Sequence, residues 1–388
     1  MKSAAFIFVL ILIAEILAAQ KPVVNEYAAI DRKALQLPDS LTKTTNGIAN
    51  YVTANFVTNK DKARAIFIWI TSNIEYDIQN MFALNFYEQK EDKIAKPLKN
   101  RKGICENYAA LFTDICLKAG IKSYVIEGYT KQNGFLPHAW CAAFIDSAWF
   151  MFDPTWGSGY VSAGKFYKKI NNTYFKAASS AMIKTHIPFD YLWQFLNYPI
   201  TNQEFYEGNT LENKSKPYFD YSDSIKVYEK QDHIAQLILS SYRIEKNGLK
   251  NSLVFDRLQH IKLELEMEKQ NLYNAAVADY NESINQFNDF IQYRNKQFVP
   301  MKTDSAIQNM IDTVTTQLAH AKLNLNQIIN PHPNTVTLVS QLNKSIADIS
   351  VRVKEQQEWL TLYFSKGKSK RKSMFYEKKY SWFGIPLN

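Results

Sequence analysis

The chain has 388 residues, more than one typical domain, and its 46% hydrophobic and 14% aromatic content is enough for packed cores and excludes wholesale disorder. Its formal net charge is +9. Residues 366–388 carry seven Lys or Arg and one Glu, which is +6 and leaves +3 for the rest, so the composition argues against a nucleic-acid-binding protein.

The N-terminal segment is typical of a signal peptide. Met1-Lys2-Ser3 is a short basic start, residues 4–17 are almost wholly apolar, and Ala18-Ala19-Gln20 supplies small residues for cleavage. The alternative is a membrane anchor, but the apolar run is shorter than the ~20 residues that span a bilayer. We therefore expect residues 1–19 to be a signal peptide and the mature chain to be secreted or periplasmic.

Three cysteines are too few, and odd in number, for a disulfide scaffold in an exported protein. Cys105 is the one expected to be unpaired, because a nucleophile must be a thiolate. Cys116 is expected to pack as a small apolar group, and Cys141 to point away from the strand face that carries His138. A Cys116–Cys141 bridge is the alternative.

Residues 20–217 predict an α+β domain, in which a helix packs on an antiparallel sheet. Helices are predicted over 40–57 and 59–74, a polar surface loop over 78–102, a helix from Cys105 to a stop at Ala119-Gly120, and strands over 121–129, 138–145 and 148–153. Asp146-Ser147 predicts a tight turn between the last two strands. Residues 157–217 are expected to be irregular and to close the domain with aromatic side chains.

Residues 218–365 predict an all-α domain of long helices, either a bundle or a coiled-coil hairpin. Apolar residues recur every three or four positions, most regularly at Ile307, Ile311, Val314, Leu318, Ala321, Leu325 and Ile328. The segment has no catalytic constellation, so packing and partner contact are its expected roles. The basic tail, 366–388, is expected to be a solvated, disordered end, and contact with an anionic envelope surface is the alternative. Tyr380–Phe383 is a more apolar segment and a candidate for docking back.

Cys105, His138 and Asp153 are the candidate catalytic residues. A helix N-terminus stabilises a thiolate, an imidazole accepts the thiol proton, and a carboxylate fixes the imidazole's tautomer. The predicted hairpin brings His138 and Asp153 together and presents both toward the Cys105 helix. Each residue alone has a structural alternative: a buried small apolar group, a core histidine and a turn former.

These residues lie in motifs that resemble the transglutaminase-like superfamily, with the exported bacterial type as the nearest form. The motifs are Gly103-Ile104-Cys105-Glu106-Asn107-Tyr108-Ala109, Ala119-Gly120-Ile121, Glu127-Gly128-Tyr129, His138-Ala139-Trp140 and Trp149-Phe150-Met151-Phe152-Asp153-Pro154-Thr155-Trp156-Gly157. The resemblance covers about residues 40–200. It implies a papain-like α+β core with a catalytic triad of Cys105, His138 and Asp153. The family contains protein cross-linking acyltransferases, cysteine peptidases, amidases and inactive members.

Four aromatic residues complete the predicted site. Trp140 and Trp156 are candidates for lining the cleft. The Cys105 backbone N–H is the expected first oxyanion donor, and Trp69 and Tyr76 are candidates for the second. No metal and no cofactor are expected, because the six histidines show no paired ligand spacing and the 12 glycines form no phosphate-binding loop.

The sequence thus predicts an exported thiol enzyme that acts on amide bonds of proteins or peptides through an acyl-thioester, by hydrolysis or by transfer. The alternative is a catalytically idle binding module at the cell envelope, with partner recognition by the helical bundle. A peptide or a peptidoglycan stem held without turnover would suit the same cleft.

Overall fold

The computed structural model describes residues 26–83, 88–131, 134–331 and 333–376. The predicted signal peptide and the Tyr380–Phe383 segment lie outside these residues. Two compact units divide the chain: the first runs to Gln231 and includes Leu239–Leu258, and the second comprises Asp232–Ile238 and the residues from Gln259 onward. None of the described helices has the length and apolar run that a bilayer crossing needs.

The helices of the described residues are α1 Ala28–Ala34, α2 Thr45–Asn55, α3 Asn59–Asn73, α4 Lys90–Asn100, α5 Cys105–Lys118, α6 Pro154–Ser158, α7 Ser179–Met182, α8 Asn202–Glu207, α9 Tyr221–Tyr228, α10 His233–Asn247, α11 Ser252–Asn295, α12 Asp304–Asn326, α13 Pro333–Ser365 and α14 Lys368–Arg371. The strands are β1 Glu75–Tyr76, β2 Lys102–Gly103, β3 Ser123–Lys131, β4 Phe135–Ile145, β5 Ala148–Phe152, β6 Gly159–Ser162, β7 Lys165–Lys168 and β8 His186–Pro188.

The first unit is built on a four-stranded antiparallel sheet in the order β5-β4-β3-β8. Its β4–β5 hairpin turns at Asp146-Ser147, with Ile145 opposite Ala148, which confirms the predicted pairing. Residues of β4 alternate between two cores: Cys141 packs in the cluster that contains α5, and Trp140 packs in the cluster on the other face. The predicted α+β architecture is therefore confirmed.

The helix α5 is almost completely buried, and α3 contributes to the same core. Its apolar positions Leu111, Phe112 and Ile115 are fully covered, and Gly120, at φ +81°, follows its C-terminal end as predicted. The expected loop at 78–102 is wrong in its second half, where α4 forms. Ile94 and Leu98, four residues apart, give this otherwise polar segment one apolar face toward the core.

The segment 157–217 is less irregular than expected, because it forms the β6–β7 hairpin and the edge strand β8. Gly128 of β3 is what allows β8 to pair so closely: a Cβ at this position would lie 2.1 Å from the carbonyl oxygen of Ile187. This close approach puts His186, the first residue of β8, next to the other strands of the sheet.

The first compact unit extends past the predicted boundary between residues 217 and 218. Ile225 of α9 is buried in the same cluster as Trp140 and Phe195. Arg243 of α10 forms a buried ion pair with Asp190 at 2.7 Å. The helical pattern after Pro217 gave no sign of these contacts, because they depend on side chains from the aromatic segment rather than on a helical repeat.

The second unit contains three long helical segments with one apolar core. The α12 residues at the predicted stripe are buried from Ile307 to Leu325, and those of α13 include Leu342, Ile346 and Val353. Asn324 bonds to Asp279, and Lys269 bonds to the carbonyl of Asn330, so α12 runs antiparallel to α11. The predicted region of long C-terminal helices is confirmed.

The expectation of a disordered, solvated tail is wrong for residues 366–376. Arg371 makes a bidentate pair with Asp304, at 2.7 and 2.8 Å, and Met374 is buried in the core of the second unit. An apolar side chain and one specific ion pair hold this segment in place despite its high charge.

Candidate active site

Cys105 is the first residue of α5, as predicted. Ile104, just before it, is extended, and its backbone N–H donates to the Asn107 side chain at 2.9 Å, which caps the helix start. The first N–H groups of a helix have no carbonyl partner within it and carry partial positive charge. The Cys105 thiol therefore lies where an anion is stabilised.

His138 and Asp153 form a buried pair beside this helix start. His138 Nε2 lies 2.8 Å from Asp153 Oδ2, and both side chains are almost wholly buried. Asp153 directly follows β5 and caps the short helix α6, because its Oδ1 accepts the N–H groups of Thr155 and Trp156 at 2.9 and 3.0 Å. The predicted hairpin thus brings the imidazole and the carboxylate together.

The electrostatics favour an ionised pair. Burial opposes a charge on His138, but the Asp153 carboxylate and a hydrogen bond to the Cys105 thiol raise the pKa of His138 to about 10. Burial also opposes the charge of Asp153, but the His138 charge and the hydrogen bonds from His138 and His186 overcome it and lower the pKa of Asp153. An imidazolium close to the thiol is the arrangement that stabilises a thiolate.

His186 is a second imidazole on the same carboxylate, and the sequence did not predict it. Its Nε2 lies 3.1 Å from Asp153 Oδ2, and its Nδ1 lies 2.7 Å from the Thr185 hydroxyl. An ionised Asp153 must accept from Nε2–H. Burial lowers the pKa of His186 and so favours the neutral ring, in which Nδ1 accepts from the Thr185 hydroxyl. A three-residue strand has too little periodicity to be recognised, and only the pairing of β3 with β8 reveals the contact.

The ligand atoms of His138, Asp153 and His186 lie within 4.8 Å of one another, close enough to hold a metal ion. Their N···O distances of 2.8 and 3.1 Å are those of hydrogen bonds, and they account for the arrangement without an ion. The sequence-based expectation of no metal stays a prediction.

Two of the four predicted aromatic residues reach the cleft. A cavity of about 470 Å³ opens beside His138, and both Tyr76 and Trp156 line it. Tyr76 lies opposite Gly103 in the β1–β2 pair, and burial, followed by the Cys105 charge, raises its pKa. The Trp156 ring lies 5.6 Å from that of His138.

The structure does not place Trp140 or Trp69 at the cleft. Trp140 is fully buried and packs behind the two imidazoles, with ring distances of 6.1 Å to His138 and 5.1 Å to His186. Trp69, on α3, is buried in the core of the first unit, and its ring centroid lies 5.1 Å from the guanidinium carbon of Arg101. Both positions are core positions, which the aromatic content of the motifs alone does not distinguish from a cleft wall.

All three cysteines are buried and unbridged. The Cys116–Cys141 alternative is therefore wrong in this structure. Cys141 instead donates to the Ala109 carbonyl of α5 at 3.4 Å. Burial raises the pKa of both Cys116 and Cys141 well above the ordinary value, so neither is an activated thiol.

A cysteine at a helix start, facing a His–Asp pair on an antiparallel sheet, is the arrangement of thiol enzymes and of proteins derived from them. A family model described as the transglutaminase-like superfamily matches residues 46–154. This part of the chain is a transglutaminase-like domain.

Two curated relatives have the same region. The kyphoscoliosis peptidase of Mus musculus is 33% identical over 172 residues, which is 41% of this chain and 25% of that protein. Hillarin of Drosophila melanogaster is 27% identical over 203 residues, or 46% and 24% of the two chains. The match thus spans about a quarter of the length of either relative.

Among solved structures, the periplasmic domain of TgpA from Pseudomonas aeruginosa is 20% identical. The match covers 33% of this chain and 47% of that one, with a TM-score of 0.24. At this score the likeness carries no argument about activity or location.

Proposed function

We propose that the chain is an exported thiol enzyme that acts on amide bonds of proteins or peptides. The observation that carries this proposal is the 2.8 Å contact between His138 and Asp153 beside a cysteine at a helix N-terminus. The high pKa of His138 supports an imidazolium next to the thiol at neutral pH. Export rests on the residue pattern of positions 1–19.

In the proposed reaction, the Cys105 thiolate attacks the amide carbonyl carbon and a C–S bond forms. The backbone N–H of Cys105 stabilises the oxyanion. As the C–N bond breaks, His138 gives its Nδ1 proton to the leaving amine, since Nε2 is held by Asp153. Imidazole then takes a proton from water or from an amine, which attacks the thioester carbonyl. The C–S bond breaks, and Cys105 leaves as the thiolate beside the imidazolium. Water gives hydrolysis and an amine gives transfer.

A second candidate function is a binding module without turnover. The observation that favours it is that only 2% of Cys105 is exposed, although the adjacent cavity is open to ligands. A protein with a buried thiol beside an accessible cavity would bind a peptide without attacking it. In this case the second unit would supply partner recognition at the envelope.

The test is to trap the acyl-enzyme. The purified mature chain is incubated with a casein digest, quenched in acid and analysed by mass spectrometry for peptide adducts on Cys105 that hydroxylamine removes. We expect adducts in the wild type and in Cys116→Ala, a matched change of a buried cysteine, and none in Cys105→Ala. Unchanged digest and no adduct would refute the enzyme and favour the binding module.

A further inference from the structure

We infer that the cleft selects an uncharged peptide with an aromatic or large aliphatic side chain next to the attacked amide. The inference rests on the proposed function, because it takes the cavity beside His138 as the substrate site. It goes further by assigning the chemical class of the acyl donor.

The walls of the cavity are aromatic and aliphatic. Two pairs of rings flank the reactive groups: Tyr76 with Phe166, at 6.1 Å, and Trp156 with Tyr174, at 5.4 Å. The other apolar lining residues are Met81, Phe82, Leu136, Pro137, Tyr160 and Val161. Surfaces of this kind bind apolar side chains, because contact removes both surfaces from water.

Several of these side chains are unusually exposed. Phe82 is 61% exposed, Tyr160 54% and Val161 41%. They surround the same cavity rather than being scattered over the surface. Grouped exposed apolar residues at the mouth of a cleft are typical of a binding surface.

Apart from His138, the described part of the lining has no charged side chain. It contains no Asp, Glu, Lys or Arg, and the charge of His138 is already paired with Asp153 at 2.8 Å. Its remaining polar side chains, Thr130, Thr155 and Asn171, are uncharged. A charged substrate side chain would lose hydration here without gaining an opposite charge that is not already paired.

Two of the lining tyrosines, Tyr76 and Tyr174, add no charge to the cleft over a wide pH range. Burial raises the pKa of Tyr76 and of Tyr174 above the ordinary value for tyrosine. We therefore expect the preference for uncharged side chains to be the same at pH 6 and at pH 9. A site that read charge would change its preference as its groups titrate.

The probes are four capped peptides, acetyl-Ala-X-Ala-amide, with X as Phe, Leu, Asp or Lys. Binding is measured as protection of Cys105 from iodoacetamide, with mass-spectrometric assignment of the labelled site. Turnover is measured separately by chromatography of the same mixtures. We expect half-protection by the Phe and Leu peptides at concentrations at least about tenfold lower than by the Asp and Lys peptides.

Equal or better protection by the charged peptides, or protection by none of the four, would overturn the inference. The two readouts separate it from the proposed function. Protection by the Phe peptide without turnover would support the binding preference of the cleft and refute the proposed enzymatic activity. Turnover that is fastest for the Asp or Lys peptide would support the enzymatic activity and refute the preference for apolar side chains.

A pair of variants on one strand gives a matched control. Val161 lines the cavity, whereas its neighbour Ser162 does not, and both are exposed on β6. We expect Val161→Asp to raise the half-protecting concentration of the Phe peptide about tenfold and Ser162→Asp to leave it unchanged. Equal effects of the two changes would mean that added charge acts at a distance and would overturn the role of the wall.

Discussion

Replacing Asp153 by Asn tests the central electrostatic claim with the smallest change in shape. The carboxylate accepts hydrogen bonds from two imidazoles on Oδ2 and from two backbone N–H groups on Oδ1. An amide that keeps the backbone bonds must point its own N–H₂ at both Nε2 atoms. His138 can relieve that clash by moving its proton to Nδ1, which faces the thiol. The variant thus holds the wrong tautomer and loses the negative charge.

The size of the effect follows from the His138 pKa. Its rise from 6.5 to about 10 corresponds to about 5 kcal/mol of preference for the imidazolium. Without Asp153, the largest influence on His138 is burial, which favours the neutral imidazole. A thiol with no cation beside it ionises near pKa ~8.5, so about 1% is thiolate at pH 6.5. We therefore expect the alkylation of Cys105 to slow by up to about 100-fold at pH 6.5 in Asp153→Asn.

The assay is the iodoacetamide labelling rate at each cysteine between pH 5.5 and 9, read by mass spectrometry. Asp190→Asn is the matched control, since Asp190 is another buried carboxylate of this unit, paired with Arg243 away from the cleft. It should leave the rate at Cys105 unchanged at temperatures where the variant is folded by circular dichroism. If Asp153→Asn labels within about threefold of the wild type at pH 6.5, the ion pair does not activate the thiol and the reasoning fails.

Three further predictions concern stability. The pKa of His138 is higher in the folded than in the unfolded state, so the His138–Asp153 pair stabilises the fold fully below pH 6.5, and this stabilisation is lost as the pH rises through 10. The difference in urea-unfolding free energy between the wild type and His138→Gln should therefore shrink by a few kcal/mol between pH 6 and pH 10. A constant difference would contradict the prediction. His186→Phe should lower the unfolding free energy by about 2 kcal/mol, because Asp153 loses a hydrogen-bond donor. His186→Gln can still donate and should cost less. Equal costs would mean that His186 stabilises the fold only by packing. Gly128→Ala should cost about 1–3 kcal/mol, since its Cβ would meet the Ile187 carbonyl, while Gly367→Ala, with open space around it, should be neutral by the same measurement.

The sequence identified the parts of the site that lie in regular elements. Cys105 at a helix start and the hairpin that joins His138 to Asp153 follow from period and turn chemistry, and both are present. His186 was missed because its place depends on a three-residue strand and on the absence of a Cβ at Gly128. Trp140 was misplaced because alternation along β4 decides which face it occupies, and the sequence does not state which face is open.

The contacts of residues 366–376, and those that extend the first unit past residue 217, could not be predicted for a related reason. Composition indicates average behaviour, so a run of Lys and Arg predicts a solvated segment. The structure differs because Arg371 has a specific partner in Asp304 and Met374 enters a core. In the same way, Arg243 of a helical segment belongs with Asp190 of the preceding aromatic segment. Single contacts of this kind join residues that are far apart in the sequence, and they produce no periodic pattern in it.

Asp153 has a structural role as well as a role in the site, and this bears on how the activity of such a site could be lost. Because this residue also begins α6 and anchors His186, an aspartate here would still stabilise the fold of a descendant that had lost the chemistry. Cys105 has no comparable scaffold duty, since Asn107 caps its helix. Decay of activity would therefore begin at position 105, and an aspartate at 153 in a related chain reports an intact domain rather than a working one.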